Sequence, residues 1–239
     1  MEIICLASGS TGNAYIIRNK ATTLLVECGL TKQVLANRLI KHAIMLDAID
    51  ATIVTHSHGD HAAAAADLSG KMPIVASRET LDAVGIAPSA RITIASWKQV
   101  ELGRITIIAF DVDHDCPGAL GFIFKDSDTG ETILFINDTA TVRWNFGTNK
   151  FDTIMIECNH ISEILEKKSP VDRRSGKSHM SLEMTKRVLA GMDLTRTRKI
   201  YLMHISQNNG DFPRMIREIR EATGRPTVAC LPDGGTEPK

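Results

Sequence analysis

Several features that mark other protein classes are missing from this 239-residue sequence. The formal net charge is zero, which argues against a protein that coats nucleic acid non-specifically but leaves room for a local basic patch. The five cysteines are odd in number, lie far apart and form no C-x-x-C pair. We therefore expect reduced thiols in a cytoplasmic protein.

Long apolar segments are also absent. No stretch is apolar over enough residues to cross a bilayer, and the N-terminus has no basic region followed by a long apolar run. We therefore expect neither a membrane span nor a signal peptide. The chain has no repeats and no Ser/Gly-rich linker, and its length suits one large domain or two small ones.

The sequence does contain a dense group of residues that can bind metal ions. Residues 55–61 read T-H-S-H-G-D-H, and the potential ligands are His56, His58, Asp60 and His61. An apolar run before them predicts a short buried strand over Ala51–Val54. An alanine-rich stretch after them predicts a helix that starts at Ala62. We therefore expect a tight loop at the carboxyl end of a strand, where α/β folds commonly carry chemistry.

The chemistry of these side chains predicts metal binding. Neutral imidazoles and a carboxylate suit Zn, with Mn or Fe also possible. One strand-end loop cannot aim all four side chains at a single point. His56 and His58 share a face if the chain stays extended, and Asp60 and His61 then reach a second point. This arrangement predicts two neighbouring divalent ions.

The H-x-H-x-D-H pattern resembles the signature of the metallo-β-lactamase superfamily, and later segments resemble its other motifs. His114 precedes a proline and a glycine turn, Asp138 follows a predicted strand, and His204 follows another. The resemblance implies an α/β fold, a four-layer αβ/βα sandwich, as a single domain over residues 1–239. It also implies one metal at His56, His58 and His114, a second at Asp60, His61 and His204, and a bridge through Asp138.

Within the superfamily, the chain resembles the YycJ/WalJ-type proteins most. It shares their S-G-S-x-G-N turn at residues 8–13 and their E-x-N-H segment at residues 157–160, and its H-I-S-Q-N-N segment, which begins at His204, resembles their H-x-S-x-x-N-N motif. These segments suggest further residues near the substrate, namely Ser10, Asn13, His160, Ser206 and Asn209. One departure is Glu27, which stands where the family commonly has Asp, and another is the alanines that replace a glycine after the ligand loop.

His179 is the predicted general acid or phosphate-binding residue. It lies just before a predicted amphipathic helix, Leu182–Gly191, with Ser181 as its N-cap, and a helix N-terminus favours an anion. The segment is similar to one in tRNase Z. Asp60 would orient the attacking hydroxide. Residues 161–177 are the most basic stretch, and they form either a solvated loop or a phosphate-binding lip that includes Lys177.

These observations favour a phosphodiester hydrolase with a dinuclear centre of Zn or Mn. The resemblance points first to a nuclease of YycJ type that degrades a nucleic-acid strand end in the 5′ to 3′ direction. A phosphodiesterase of cyclic mononucleotides, similar to the anti-Pycsar enzymes, is the alternative, and a thioester or lactone hydrolase is a third. By analogy with tRNase Z, a homodimer is possible. The tail from Asp233 is expected to be mobile.

Overall fold

The computed structural model describes residues 1–144, 146–168 and 176–237. Within these ranges the chain builds two halves, each with one sheet and its own helices. The elements of the first half are β1 (Glu2–Ala7), β2 (Ala14–Arg18), β3 (Thr23–Val26), α1 (Lys32–Ile40), β4 (Ala51–Ile53), α2 (Gly59–Ala62), α3 (Ala65–Leu68), β5 (Ile74–Ala76), α4 (Arg78–Val84) and β6 (Arg91–Thr93). Short 3₁₀ turns lie at Leu46–Ala48 and Pro88–Ala90.

The second half carries the longer strands. Its elements are β7 (Gln99–Leu102), β8 (Ile105–Asp111), β9 (Leu120–Asp126), β10 (Thr132–Ile136), β11 (Thr153–Glu157), α5 (Ser162–Glu166), α6 (Leu182–Ala190), β12 (Lys199–Met203), α7 (Phe212–Thr223), β13 (Thr227–Cys230) and β14 (Thr236–Glu237). The predicted strand over Ala51–Val54 and the predicted helix over Leu182–Gly191 are present as β4 and α6, each one residue shorter at its end.

Each sheet combines antiparallel and parallel pairs. The first sheet runs β1-β2-β3-β4-β5-β6, antiparallel from β1 to β3 and parallel from β3 to β6. The second runs β14-β13-β12-β11-β10-β9-β8-β7, and its pairs from β10 to β13 are parallel. Since parallel strands end at one edge of a sheet, the loops that follow β4, β10, β11 and β12 can meet there.

The sheets pack face to face, and helices cover their outer faces. Side chains alternate along each strand, so Tyr15 and Ile17 point into the layer between the sheets while Ile16 points to the helices. Phe122 and Phe135 of the second sheet meet the first sheet in that layer. Leu35 and Leu39 of α1 pack on the first sheet, and α6 and α7 pack on the second. The predicted four-layer αβ/βα sandwich is therefore confirmed.

The helix starts follow local hydrogen-bonding chemistry. The predicted N-cap Ser181 is confirmed, because its hydroxyl accepts the backbone N–H of Met184 at 3.2 Å, and Thr31 caps α1 in the same way through the N–H of Val34 at 3.4 Å. Over the described residues, every helix is too short or too polar to span a bilayer.

Three expectations about local structure are wrong. The metal-ligand segment is not a loop throughout, because α2 begins at Gly59 and places Asp60 and His61 on its first turn. The helix then breaks and resumes as α3, instead of running on from Ala62. The tail is not free up to residue 237, because glycines with positive φ at 234 and 235 turn it back and β14 pairs with β13.

A close backbone contact holds the ligand segment against the first sheet. A Cβ at Gly29 would lie 1.6 Å from the carbonyl oxygen of Asp60, so only glycine fits there. We expect Gly29→Ala to lower the free energy of unfolding by about 3 kcal/mol through overpacking. Urea unfolding of the metal-loaded protein measures this change.

Gly70→Ala is the matched control, because a Cβ at Gly70 meets no atom within 4 Å. Equal stabilities of the two variants would contradict the inferred contact between Gly29 and Asp60.

Candidate active site

The predicted metal ligands converge at the edge where the parallel strands end. The segment after β4 supplies His56, His58, Asp60 and His61, and the loops after β8, β10 and β12 supply His114, Asp138 and His204. The structure therefore brings together all seven residues that the sequence assigned to the metals. They fall into two neighbouring groups.

The first group consists of three histidines. One ring nitrogen from each of His56, His58 and His114 lies within 4.8 Å of the others. His114 Nε2 is 3.2 Å from His58 Nδ1, which identifies these nitrogens as the pair that faces the group's centre. The exposed carboxylate of Asp115 lies 3.3 Å from the same His114 nitrogen. Three imidazoles that converge in this way suit a borderline divalent cation.

The second group combines carboxylates and imidazoles. It contains Asp60, His61, Asp138 and His204, again with ligand atoms within 4.8 Å of one another. Asp60 Oδ2 lies 3.4 Å from His61 Nε2 and 3.2 Å from His204 Nε2. The two imidazole rings stack with their centroids 5.3 Å apart.

Asp138 lies between the two groups. Its Oδ2 is 3.0 Å from His61 Nε2, 3.7 Å from His56 Nε2 and 3.9 Å from His114 Nε2. Its Oδ1 is 3.5 Å from His204 Nε2. One carboxylate thus faces histidines of both groups, which is the position the sequence predicted for a bridging ligand.

Hydrogen bonds behind the histidines fix which nitrogen faces inward. The Thr55 hydroxyl donates to Glu27 Oε1 at 2.6 Å and lies 2.8 Å from His56 Nδ1, so it can accept the proton of that nitrogen. His114 Nδ1 lies 3.1 Å from the carbonyl oxygen of Ser178. In both histidines Nε2 is left with its lone pair toward the group, as a metal ligand requires.

Glu27 connects the two groups of metal ligands. This fully buried carboxylate, the residue that departs from the family's usual Asp, accepts the Thr55 hydroxyl and lies 3.3 Å from His61 Nδ1. The longer side chain therefore reaches one ligand directly and another through Thr55. Its backbone has φ +63°, a left-handed conformation that costs about 1–2 kcal/mol for a residue with a Cβ.

Asp138 and His204 share this strained conformation, with φ of +45° and +52°. His204 comes directly after β12 and Asp138 lies two residues past the end of β10, so the left-handed turn redirects the chain at the point where a ligand must face inward. Strain of this kind persists where surrounding contacts enforce it, and it concentrates at functional sites.

Burial and hydrogen bonding keep three of the ligands, His56, His114 and Asp60, in the protonation states that a cation needs. Burial lowers the pKa of His56 and of His114, so both imidazoles are neutral and offer lone pairs. Burial alone would raise the pKa of Asp60, but hydrogen bonds from His204 and His61 outweigh it and hold that pKa well below its usual range. Asp60 is therefore an anion at neutral pH.

Buried polar atoms that have no hydrogen-bond partner also indicate that the site fits a cation. Among the described residues, His56 Nε2 and Asp138 Oδ1 are buried without a hydrogen bond. Burial would lower the pKa of His61, but the carboxylates of Asp138 and Glu27 outweigh it and raise that pKa. Without a metal ion a proton on His61 supplies the compensating positive charge, and a bound cation would displace it.

His179 adjoins the second group and is paired with a buried carboxylate. Its Nδ1 lies 2.6 Å from Glu157 Oε1, and its ring stacks on His204 with centroids 5.1 Å apart. Glu157 is fully buried and its Oε2 accepts the N–H groups of Thr139 and Met180. Burial would lower the pKa of His179, but the charge and hydrogen bond of Glu157 outweigh it and raise that pKa to about 9.

Three of the predicted substrate residues support the site from within instead of lining it. Asn13 is fully buried, and its amide bonds to the carbonyl oxygens of Gly9 and Asp60, at 3.1 and 3.2 Å, so it holds the ligand segment. His160 is also buried, and burial lowers its pKa. The Ser206 hydroxyl accepts the N–H of Asn209 and closes the turn after His204.

The remaining substrate candidates reach the surface. Ser10 is exposed at the tip of its turn, and Asn209 is half-buried. Lys177 is exposed and lines a cavity of about 490 Å³ with His114, Asp115 and Ser178. This cavity adjoins the three-histidine group through His114. The basic residues Arg173 and Arg174 lie outside the described residues.

Comparison with known proteins agrees with this geometry. Residues 22–205 match the family described as "Beta-lactamase superfamily domain". The chain belongs to the metallo-β-lactamase superfamily. It is an enzyme of this superfamily's metallohydrolase class, and its clusters of histidine and aspartate suit divalent metal ions.

Among relatives in sequence, the exodeoxyribonuclease WalJ of Streptococcus pneumoniae is 29% identical over 91% of this chain and 84% of its own length. The exodeoxyribonuclease YycJ of Bacillus anthracis is 29% identical over 98% and 94%. Among solved structures, YhfI of Bacillus subtilis, a metallo-β-lactamase fold protein, superposes with TM-score 0.76 at 16% identity over 98% and 97% of the two chains. Zinc-bound PqqB of Methylobacterium extorquens gives 0.73 at 16% over 99% of both.

Sequence reasoning missed the role of Glu157. Glu157 belongs to the E-x-N-H segment, but that motif does not predict its contact with His179. The two residues are 22 positions apart, and Glu157 lies at the end of a parallel strand. The available signal was an acidic residue at the end of a fully buried strand, where an unpaired carboxylate would be costly.

The Glu157–His179 pair predicts a pH-dependent change. In the metal-free protein we expect Glu157→Gln to lower the pKa of His179 from about 9 toward the usual value of about 6.5, because the neutral amide no longer stabilises the imidazolium. The stabilisation from this pair is full below about pH 6.5 and is lost as pH rises toward 9. NMR titration of the imidazole signals measures the pKa.

Glu163→Gln is the control, because Glu163 is exposed and contacts Lys167 and Arg214 instead. An unchanged His179 titration in Glu157→Gln would show that Glu157 does not set this pKa.

Proposed function

We propose that this metallohydrolase cleaves phosphodiester bonds at the end of a DNA strand, in the 5′ to 3′ direction. The observation that carries the proposal is the His179–Glu157 pair, which presents a protonated imidazole beside the second ligand group. An unactivated alkoxide leaving group needs such a proton. The exodeoxyribonucleases WalJ and YycJ, related over most of this chain, support the substrate.

We further propose that two divalent cations occupy the site, zinc or manganese. His56, His58 and His114 would hold one, Asp60, His61 and His204 the other, and Asp138 would contact both. When bound, such ions lower the pKa of coordinated water and neutralise charge on a phosphate. Elemental analysis of the dialysed protein measures their number, and one equivalent per chain would refute the dinuclear assignment.

The chain's own residues divide the remaining work. Asp60 is held as an anion by His204 and His61, so it can accept a hydrogen bond from the attacking nucleophile and orient it. Glu157 occupies His179 Nδ1, which leaves Nε2 as the nitrogen that donates a proton to the departing oxygen. Lys177, at the rim of the cavity, supplies a positive charge for a neighbouring phosphate.

A cyclic mononucleotide is the alternative substrate. The cavity beside His114 has about 490 Å³, within the range of small-molecule sites, so it can hold one nucleotide. The same proton donor would serve the ring-opening reaction. The two functions therefore differ in what binds beyond the reacting phosphate.

We place the protein in the cytoplasm, since all five cysteines are buried thiols outside any disulfide. To test this, freshly isolated protein is denatured so that its cysteines are exposed, and its free thiols are then counted. The homodimer suggested by the resemblance to tRNase Z stays a prediction that sedimentation would test.

A comparison of two substrates tests the main proposal. Metal-loaded protein is given single-stranded DNA with a 5′-phosphate and, separately, a set of 3′,5′-cyclic nucleotides, each with a chelator control. Chromatography identifies the products, and we expect stepwise release of mononucleotides from DNA. Opening of cyclic nucleotides without loss of DNA would favour the alternative, and activity on neither would favour a thioester or lactone substrate.

The role of His179 predicts a dependence on the leaving group. We expect His179→Ala to slow cleavage of an unactivated dinucleotide by about 10²–10⁴-fold, the usual contribution of a general acid. A 4-nitrophenyl diester needs no proton on its leaving group, so its cleavage should slow by less than about tenfold. Steady-state rates of both reactions measure this difference.

His42→Ala is the matched control, because His42 is exposed on the surface beyond α1. Equal losses with the two substrates would mean that His179 binds the phosphate instead of donating a proton.

A further inference from the structure

The chain has two tryptophans, and the structure places them together on the surface near the metal ligands. The rings of Trp97 and Trp144 meet edge to face, with centroids 4.9 Å apart and an interplanar angle of 86°. They remain 47% and 38% exposed. Two large aromatic side chains that only covered the core would be more deeply buried, so their exposure calls for another explanation.

Both tryptophans are held firmly in this exposed position. The indole N–H of Trp144 donates to the carbonyl oxygen of Asp111 at 2.9 Å, and the backbone N–H of Trp97 donates to Ala109 at 2.8 Å. Trp97 has φ +57°. Among the described residues, only five that are not glycine adopt positive φ. Trp97 is one of them, and three of the other four are Glu27, Asp138 and His204 of the site. A bulky side chain in this conformation is rare and marks a position under constraint.

The aromatic pair adjoins the candidate active site. Asp111 ends β8, three residues before His114, so at most about 10 Å of extended chain separates them. Arg143, next to Trp144, pairs with Asp113 at 2.7 Å, and Asp113 lines the cavity that contains His114. The two features therefore form one continuous surface.

A second cavity lies on the other side of Trp144. It has about 300 Å³, enough for one aromatic base, and Arg143 and Trp144 form one wall. Met184, Arg187 and Val188 of α6 form the opposite wall. Helix α6 begins at Leu182, three residues after His179, and Arg187 lies about 8 Å along the helix from Leu182. The cavity therefore lies away from the reacting phosphate, in the direction in which α6 runs.

We propose that the Trp97–Trp144 pair and this cavity bind an unpaired base of single-stranded DNA, next to the nucleotide that is cleaved. The inference rests on the proposed nuclease function and adds how the strand is held. Exposed indoles stack on bases of any sequence, and Arg143 and Arg187 offer positive charge to the flanking phosphates. Asp111 is exposed and contacts Trp144 through its backbone carbonyl, so its negative charge near the pair favours a neutral base over a phosphate against the indoles.

Tryptophan fluorescence reports this binding directly, because both indoles of the chain belong to the proposed platform. Metal-loaded protein is titrated with a single-stranded phosphorothioate oligonucleotide, which resists cleavage, and with an abasic oligonucleotide of equal length. We expect the first to quench the fluorescence and to bind at least tenfold more tightly than the second. Equal binding without quenching would overturn the platform.

Substitutions separate stacking from folding. We expect Trp97→Ala and Trp144→Ala to raise the KM for single-stranded DNA by about ten- to hundredfold, the usual effect of losing one stacked base. Trp97→Phe and Trp144→Phe keep an aromatic face and should retain most of the affinity, while each leaves one indole as the reporter. Ile40→Ala removes an exposed apolar side chain from α1 and should leave the KM unchanged.

Cleavage of unmodified DNA, measured in parallel, separates this inference from the proposed function. DNA cleavage with neither quenching nor a KM change in the alanine variants would overturn the platform and leave the nuclease standing. Quenching without cleavage of any DNA would support the platform and refute the nuclease. Neither quenching nor cleavage would refute both.

Discussion

The buried carboxylate of Asp138 is the constraint on which the rest of the site depends. Asp138 is almost completely buried, and a lone carboxylate in that position would be strongly disfavoured. Burial would raise its pKa, but His204 and His61 outweigh it and hold the pKa well below its usual range. The imidazoles around it repel one another when charged, so the cluster needs either shared protons or cations. The stability of the cluster and its capacity to bind cations thus have the same electrostatic origin.

The fold meets this constraint with rigid supports on both sides. Parallel strands deliver the ligands to one edge, and His61, His204 and the backbone of Asp60 then receive partners from other elements. Glu27 and Asn13 come from the first sheet, and Glu157 comes from the second. These supporting groups are themselves buried and hydrogen-bonded, so they limit how far the ligands that they contact can move.

Much of this could be predicted from the sequence because ligands at strand ends are local patterns. The H-x-H-x-D-H segment, His114, Asp138 and His204 each stand beside a short apolar run, and such runs are consistent with buried strands when turn residues bound them. The supports were harder to predict. The Glu157–His179 contact, the inward turn of Asn13 and the approach of Gly29 to Asp60 depend on packing between distant segments. The Trp97–Trp144 contact spans 47 positions and carries no periodic signal. The return of the tail as β14 depends on two glycine conformations that composition alone does not specify.

The long separation between ligands affects how the site forms during synthesis. The first six ligands occupy positions 56 to 138, but His204 follows only after most of the second sheet has been made. Its backbone N–H donates to Ser8, 196 positions earlier, so the last ligand closes against the first turn of the chain. A nascent chain therefore carries the three-histidine group before the second group is complete. Contacts of such range slow folding, and the centre becomes whole only in the finished domain.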